Sequence, residues 1–535
     1  MQRMFPALLL GCLLPVGASA AVDLDMVNRI VNEGMRNSQI PETAAHLTDQ
    51  IGGRITNSPQ MRQAEAWTQA QYRAWGLPKV YTEGFEFGRG WSFTESQARM
   101  VSPRPQQLRS IPIAWTPGTG GVISAPIVVA PMSKERHFDA WKGKLRGKIV
   151  LVSLPGTGSE PQEAPFKRLS GEDLSKRDVY SQPKHSDAAR AQGRRQAGFE
   201  SKLDAFLAAE GAVAWVRQSY RDGGLVHGAG YGFLVGQSHT VPGVELAAED
   251  YRLLARLAKT DAAPSLELSN DARFHDEDTR AYNVFAEIPG RDARAGYVMA
   301  GAHLDSWGAS GGANDNAAGS VVVMEAARIL HALGVRPKRA IRFALWSGEE
   351  QGLHGSLNYV DRHLVSRAPL TDPALQDLPF HRAWGERWPI TPRPGYADMA
   401  AYFNIDNGSG KVRGLHAEGN AAVVPIFREW LSPFAAMGAT MVAAGNTGGT
   451  DHLYFQAVGL PGYQFIQDPL DYGTRLHHSN VDSYDHLKIP DLKQAAVILA
   501  SLLYHAAQRD EPLPRMPLPT RPIDTDPFEY LQDED

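Results

Sequence analysis

From Tyr282 to Gln508 the chain alternates short strand-like runs with long helical ones, and this alternation narrows its fold more than any other feature. The runs "YNVFAEI", "YVMAGAHLD", "RAIRFALW", "AAYFNID" and "GLPGYQFI" are rich in β-branched and aromatic residues and are bounded by Gly, Pro and Asp. Between and after them, "AAGSVVVMEAARILHAL" and "AAVILASLLYHAAQ" are long enough and apolar enough to be packed helices. Strands alternating with helices build an α/β fold, an open sheet with helices on both faces. In such sheets chemistry gathers at the carboxyl ends of the strands.

The rest of the chain bounds what surrounds that sheet. With 535 residues the chain is too long for one ordinary domain. Its 54 basic against 59 acidic side chains make no basic face, so nucleic acid is not an expected partner. "MQRMFPALLLGCLLPVGASA" carries Arg3, an apolar stretch and an A-x-A site at Ala18 and Ala20, the pattern of a signal peptide over residues 1–20. An exported product, periplasmic or secreted, follows. The sole cysteine, Cys12, lies inside that segment, where "LLGC" loosely fits a lipidation box; the mature chain then has no thiol and no disulfide. No later apolar run reaches spanning length, so no membrane span is expected.

"VDLDMVNRIVNEGM" and "SPQMRQAEAWTQAQYRAWGL" predict an N-terminal pair of helices. From about Ile111 short β-branched runs take over, interrupted by a charged stretch from Gly156 to Arg195 that reads as a solvated excursion. The boundaries expected are therefore 21–110, an inserted β-rich domain over 111–271, the α/β domain over 272–512 and a proline-rich tail over 513–535 that runs across the surface.

Four strand ends then carry ligand-type residues. "YVMAGAH" stops at His303 with Asp305 two positions on, pointing the same way so that its carboxylate can accept a hydrogen bond from the histidine's second nitrogen, and a glycine-rich loop returns Asp315 to the start of the next helix. "RFALWSGEE" ends in the adjacent pair Glu349 and Glu350, which repel unless a cation holds them or one is protonated. "AYFNIDNGSG" supplies Asp406, and "RLHHSNVD" supplies His477 and His478. Taken singly, an acidic turn, an Asx turn and a surface histidine pair account for each. Taken together at the strand ends of one sheet they point to a metal centre.

These stretches, with "LTDQIGGRITNSPQMRQAEAW", "GGTDHLYFQAVGLPGYQFI" and "LHHSNVDSYDHL", resemble the co-catalytic di-zinc exopeptidases of the zinc aminopeptidase and glutamate carboxypeptidase type, over nearly the whole mature chain. The resemblance implies a three-layer α/β/α peptidase domain with a mixed central sheet, and an insertion of the protease-associated type. It implies two zinc ions, one held by His303, Asp315 and Asp406, the other by Asp315, Glu350 and His478. It makes Glu349 the general base, places Asp305 behind His303, and implies a cis peptide between Asp315 and Asn316. The implied partner is a peptide, and a second copy of the chain is a further candidate. The segments Gly156 to Arg195 and Asp361 to Pro394 are longer than the resemblance needs.

The residue types agree. Zinc on imidazole and carboxylate ligands brings the pKa of water from about 16 to about 7, and Glu349 can move its proton to the leaving amine. His477, beside His478, is the candidate donor to the oxyanion. No G-x-S-x-G elbow supports a serine hydrolase. Two alternatives stand: a single-zinc acyltransferase of the glutaminyl cyclase kind, and a non-catalytic peptide-binding relative.

Overall fold

The computed structural model describes residues 22–159, 164–180, 198–237, 239–371 and 380–520. The expected signal peptide with Cys12, much of the charged stretch 156–195, part of 361–394 and the last part of the tail lie outside the described residues. One sheet is built from β1 (Lys79–Glu86), β2 (Arg280–Ile288), β3 (Tyr297–His303), β4 (Ala340–Trp346), β5 (Met399–Asn404), β6 (Val412–His416), β7 (Met441–Ala443) and β8 (Gly462–Gln467). Its order is β1-β2-β4-β3-β5-β8-β6-β7. The four central strands, β4, β3, β5 and β8, run parallel. β2 joins them antiparallel on one side and β6 on the other, so the sheet is mixed. The chain is α/β, as its alternation predicts.

Period-two burial separates the faces of this sheet. Val298, Ala300 and Ala302 of β3 pack with Phe343 and Leu345 of β4 and with the helices α1 (Leu24–Arg36), α2 (Pro59–Ala74), α3 (Ala318–Ala332) and α4 (Ile489–Gln508). Tyr297 and Met299 point the other way, to Phe285, Trp346, Tyr359 and Phe455. Every residue of α3 from Ala318 to Leu330 is buried, which is why its apolar pattern runs all round instead of forming one stripe. α1 and α2 begin where the sequence offers caps: Asp23 accepts the Met26 N–H at 3.0 Å, and Ser58 accepts that of Met61 at 3.1 Å just before Pro59. Among the described residues no helix is long and apolar enough to cross a membrane.

A second eight-stranded sheet collects the β-rich stretch, including Ile123–Val129, Ile149–Leu151, Ala214–Gln218 and Gly243–Leu246, around its own core of Leu151, Val216, Val244 and Leu266. It begins before position 111, because Ser96–Ser102 pairs with Ser265–Asn270. The described part of the tail is tied down, with Arg515 donating to the carbonyls of Tyr396, Ala397 and Met399.

Candidate metal centre

The loops leaving the four parallel strands meet at one point. His303 closes β3, and Asp315 lies between β3 and α3. Glu349 and Glu350 follow β4, Asp406 follows β5, and His477 and His478 follow β8. His303 Nε2 stands 3.3 Å from Asp315 Oδ1 and 3.3 Å from Asp406 Oδ1, with Glu349 Oε2 at 4.0 Å. His478 Nε2 stands 3.2 Å from Asp315 Oδ2 and 2.9 Å from Glu350 Oε2. The two oxygens of Asp315 thus face two different imidazoles.

The backbone explains how these groups are held. The peptide between Asp315 and Asn316 is cis. Asn316 donates to the carbonyl of Ile405 at 3.1 Å and accepts the Gly319 N–H at 2.8 Å, fixing the loop to the end of β5 and to α3. Asp482 accepts the N–H groups of Asn314 at 2.8 Å and Asp315 at 3.0 Å. Beneath the loop, the buried Arg54 donates to the carbonyls of Leu47, Gly52, Leu304, Gly311 and Gly312. Gly301 in β3 has no room for a side chain, since a Cβ would lie 2.5 Å from Trp346 Nε1 and 2.5 Å from the Tyr402 hydroxyl, which bond each other at 2.7 Å.

Asp305 acts differently from the simplest reading of its spacing. The Nδ1 of His303 meets the Asp305 backbone carbonyl at 2.9 Å, whereas the nearest carboxylate oxygen is at 3.7 Å. The carboxylate instead accepts the N–H groups of Glu349 and Glu350, both at 3.3 Å, and the Thr56 hydroxyl at 2.9 Å. Asp305 therefore sets the histidine through its backbone and the glutamate turn through its side chain. His477 stacks on His478 with ring centroids 3.6 Å apart, and its Nε2 lies 3.7 Å from Asp315 Oδ2.

Charge at this point is one-sided. Burial works against ionisation of both His303 and His478. Even so, Asp406 and Glu349 hold the His303 pKa well above the usual value, and Glu350 and Asp315 raise that of His478 to about 11. Burial lifts Glu350 to about 7 and Glu349 well above the carboxylate range, the latter helped by Asp406. Burial alone accounts for most of the fall of His477 to about 4. Four carboxylates sharing a dry site are an anionic cage in want of positive charge. Glu350 Oε1 is buried without a hydrogen-bond partner, and Asp315 Oδ2 makes no well-aligned hydrogen bond despite its nearness to His478. Ligand atoms of His303, Asp315 and Asp406 lie within 4.8 Å of one another, as do those of Asp315, His477 and His478. Such a donor set fits a zinc ion or a pair of them.

Residues 283–503 match the model of peptidase family M28. Beyond that segment the chain is similar to carboxypeptidase Q of Mus musculus, 25% identical over 92% of this chain and 91% of the relative. Two solved structures share the fold. A peptidase M28 precursor from Shewanella amazonensis superposes with a TM-score of 0.63 at 23% identity, covering 93% of this chain and 99% of that one. The zinc aminopeptidase BSAP of Bacillus subtilis gives 0.54 at 19% identity, covering 88% and 95%. Every candidate ligand falls inside the matched segment, and these likenesses support a metallopeptidase.

The side chains singled out in the sequence, His303, Asp315, Glu349, Glu350, Asp406, His477 and His478, lie together here, whereas those that hold them are not among the residues singled out. Asp482 lies within "LHHSNVDSYD" and Arg54 within "GGRIT", stretches singled out for the resemblance, yet neither has a ligand-like position. A third omission is Asp451 of "GGTDHL", fully buried, bonded by the Ser356 hydroxyl, and lifted to about 7 chiefly by burial.

Proposed function

We propose that the chain is an exported exopeptidase that uses two zinc ions to hydrolyse short peptides. One observation carries this reading: Asp315 presents its two oxygens to two imidazoles, each of which also faces a further carboxylate, Asp406 or Glu350. His303, Asp315 and Asp406 would hold one ion, and Asp315, Glu350 and His478 the other. This shared carboxylate favours two ions over the single zinc of a cyclase-like acyltransferase. Bound zinc supplies Lewis acidity, which acidifies a water and polarises the scissile carbonyl.

The chain's own residues do the rest. Glu349, 4.0 Å from His303 Nε2 and held in its turn by Asp305, takes the proton of the attacking water and passes it to the leaving amine. Its environment favours holding that proton, since burial and Asp406 both raise its affinity. Neutral His477, a ring's thickness from His478, is placed to donate to the oxyanion. The second sheet, which extends the expected insertion 111–271 back to Ser96, serves as a protease-associated-like domain that limits access to the site. The test is metal analysis with activity on one sample. Chelation should abolish hydrolysis of dipeptides and zinc should restore it; full activity in a stripped sample would refute the reading.

A further inference from the structure

The charged stretch that the sequence presents as a solvated excursion is, between Pro165 and Asp178, docked beside the central sheet. Lys167 and Leu470 exchange backbone hydrogen bonds of 2.9 and 2.8 Å, an antiparallel bridge between this segment and the turn after β8. On either side of that bridge Asp468 accepts the Leu169 N–H at 2.9 Å, and the Thr474 hydroxyl donates to the carbonyl of Pro165. Leu169 and Leu174 are buried against Ile466 of β8 and Ala443 of β7, and Asp178 accepts the Ala444 N–H at 3.3 Å. The segment is thus fastened to the end of β7 and to the carboxyl end of β8.

What it fastens is the turn that delivers the histidines. From Asp468 the chain passes Leu470, closes the Arg475 N–H onto the Asp471 carbonyl and the His477 N–H onto the Tyr472 carbonyl, both at 2.9 Å, and arrives at His478. At the root of this turn stands Arg168. Its Nη1 bonds Asp468 Oδ2 at 3.0 Å and Asp491 Oδ2 at 2.8 Å, joining the turn to the first turn of α4. Both carboxylates are buried, whereas the arginine side chain is 43% exposed. Arg413 reaches Asp468 only at 3.4 Å, and among the described residues Asp491 pairs with no other cation. Without this guanidinium two buried carboxylates would face each other across the root of the turn, and moving the turn away from α4 would relieve their repulsion.

We infer that Arg168 is a positioning residue of the metal centre: by docking the inserted segment on the turn 468–476 it holds His478 where, with Asp315 and Glu350, that histidine binds its zinc. The inference rests on the two-zinc reading above. Arg168 bonds none of the site's side chains among the described residues; it acts through Asp468 and the turn. His303 closes β3 and Asp406 follows β5, strands fastened elsewhere in the sheet. Loss of the arginine should therefore be felt by one of the two ions, the one that His478 holds.

The experiment is a zinc titration of the full chain against a competing chelator, using wild type, Arg168→Gln, Arg168→Lys and the double variant Arg168→Gln with Asp491→Asn. Wild type should hold two zinc ions. Arg168→Gln should weaken one of them by about tenfold or more and leave the other nearly unchanged. Arg168→Lys should recover part of the loss, and so should adding Asp491→Asn, which removes one of the two facing carboxylates. A general loss of stability would instead weaken both ions together. A measurement on wild type needs no variant: docking and zinc binding are linked reciprocally, so zinc should slow hydrogen exchange at the Lys167 and Leu169 amides and leave those of Ile123–Val129 in the second sheet unchanged. Two ions held as tightly by Arg168→Gln as by wild type, loss of both in step, or exchange at Lys167 and Leu169 indifferent to zinc overturns the assignment and leaves the two-zinc reading standing. Fewer than two zinc ions in wild type overturns that reading, and this one with it.

Discussion

The two ends of the central sheet hold similar side chains in opposite arrangements. At the amino ends of β3, β4 and β5 a broad cleft is lined by Glu287, Tyr297, Arg342, His363 and Arg393. Its charges are matched: Glu287 bonds Arg342 at 2.8 Å and Lys79 at 3.0 Å, His363 meets Glu83 at 2.8 Å, and Arg393 donates to the carbonyls of Asp361 and Val365. At the carboxyl ends the opening is narrow, lined by Trp307, Asp315, Glu350 and His478, and the carboxylates face one another. The narrow end is the candidate site. What marks it is a surplus of one sign of charge that the protein alone does not neutralise, and cavity size points the other way.

The largest expected effect breaks that surplus at its centre. Asp315→Asn removes the carboxylate that faces both imidazoles, so neither of the two proposed ions would keep its full donor set. Turnover should fall by about four orders of magnitude or more, with zinc content per chain reduced. Retained zinc and near-normal turnover would mean that Asp315 is not shared.

Next in size is the adjacent glutamate pair. Glu349→Gln would remove the proposed proton acceptor but no donor of the proposed metal set, so turnover should fall by about two to four orders of magnitude while zinc stays bound. Glu350→Gln should loosen one zinc as well. The opposite pattern of metal content would exchange the two roles.

Stripping the metal should expose the surplus as a pH effect. Glu350, Asp451 and Asp482 are each lifted to about 7, mainly by burial, from unfolded values near 4. A carboxyl that holds its proton more tightly when folded contributes stability present at low pH and lost as pH rises towards the folded value. His478, raised to about 11 against the pull of burial, loses its contribution from about 6.5 upwards, in the same direction. The zinc-free chain should therefore become less stable from about pH 4 to beyond 7, by roughly 3 kcal/mol for Glu350 alone. The zinc-loaded chain should show little of this slope. Parallel denaturant series at several pH values, with and without chelator, measure the difference.

How far the sequence could be read follows the same division. The parallel strands were legible because they are buried on both faces and so read as near-continuous apolar runs. β1 was not, since "KVYTEGFE" lies at the sheet edge and only Phe85 is buried. Ligand-type residues were legible because they sit where the apolar runs stop. The groups that hold them, Arg54 and Asp482, act through backbone N–H and carbonyl groups brought from distant segments, which no local spacing records. Asp305 shows the limit within a single motif: its spacing puts it beside His303, but only the fold shows that its carboxylate serves Glu349 and Glu350. The expected boundary at 111 separates strand Ser96–Ser102 from the sheet it joins, because its partner, Ser265–Asn270, lies far along the chain.

The smallest expected effect is at the amino end. Glu287→Gln leaves Arg342 without its carboxylate, although the guanidinium keeps the Tyr359 hydroxyl at 3.0 Å and lies 3.8 Å from the centre of the Tyr297 ring. Those contacts and the exposure of Lys79 limit the cost, so stability should fall by about 1–2 kcal/mol, less than for a fully buried pair. Turnover on dipeptides and bound zinc should be unchanged, because the neutral replacement alters no group at the other end of the strands. Denaturation midpoints and kcat/KM on the same preparation measure both quantities. Should Glu287→Gln lower turnover or release zinc, the matched end would be coupled to the unmatched one through β4, whose Arg342 and Trp346 stand four residues apart, and the two ends could no longer be treated as independent.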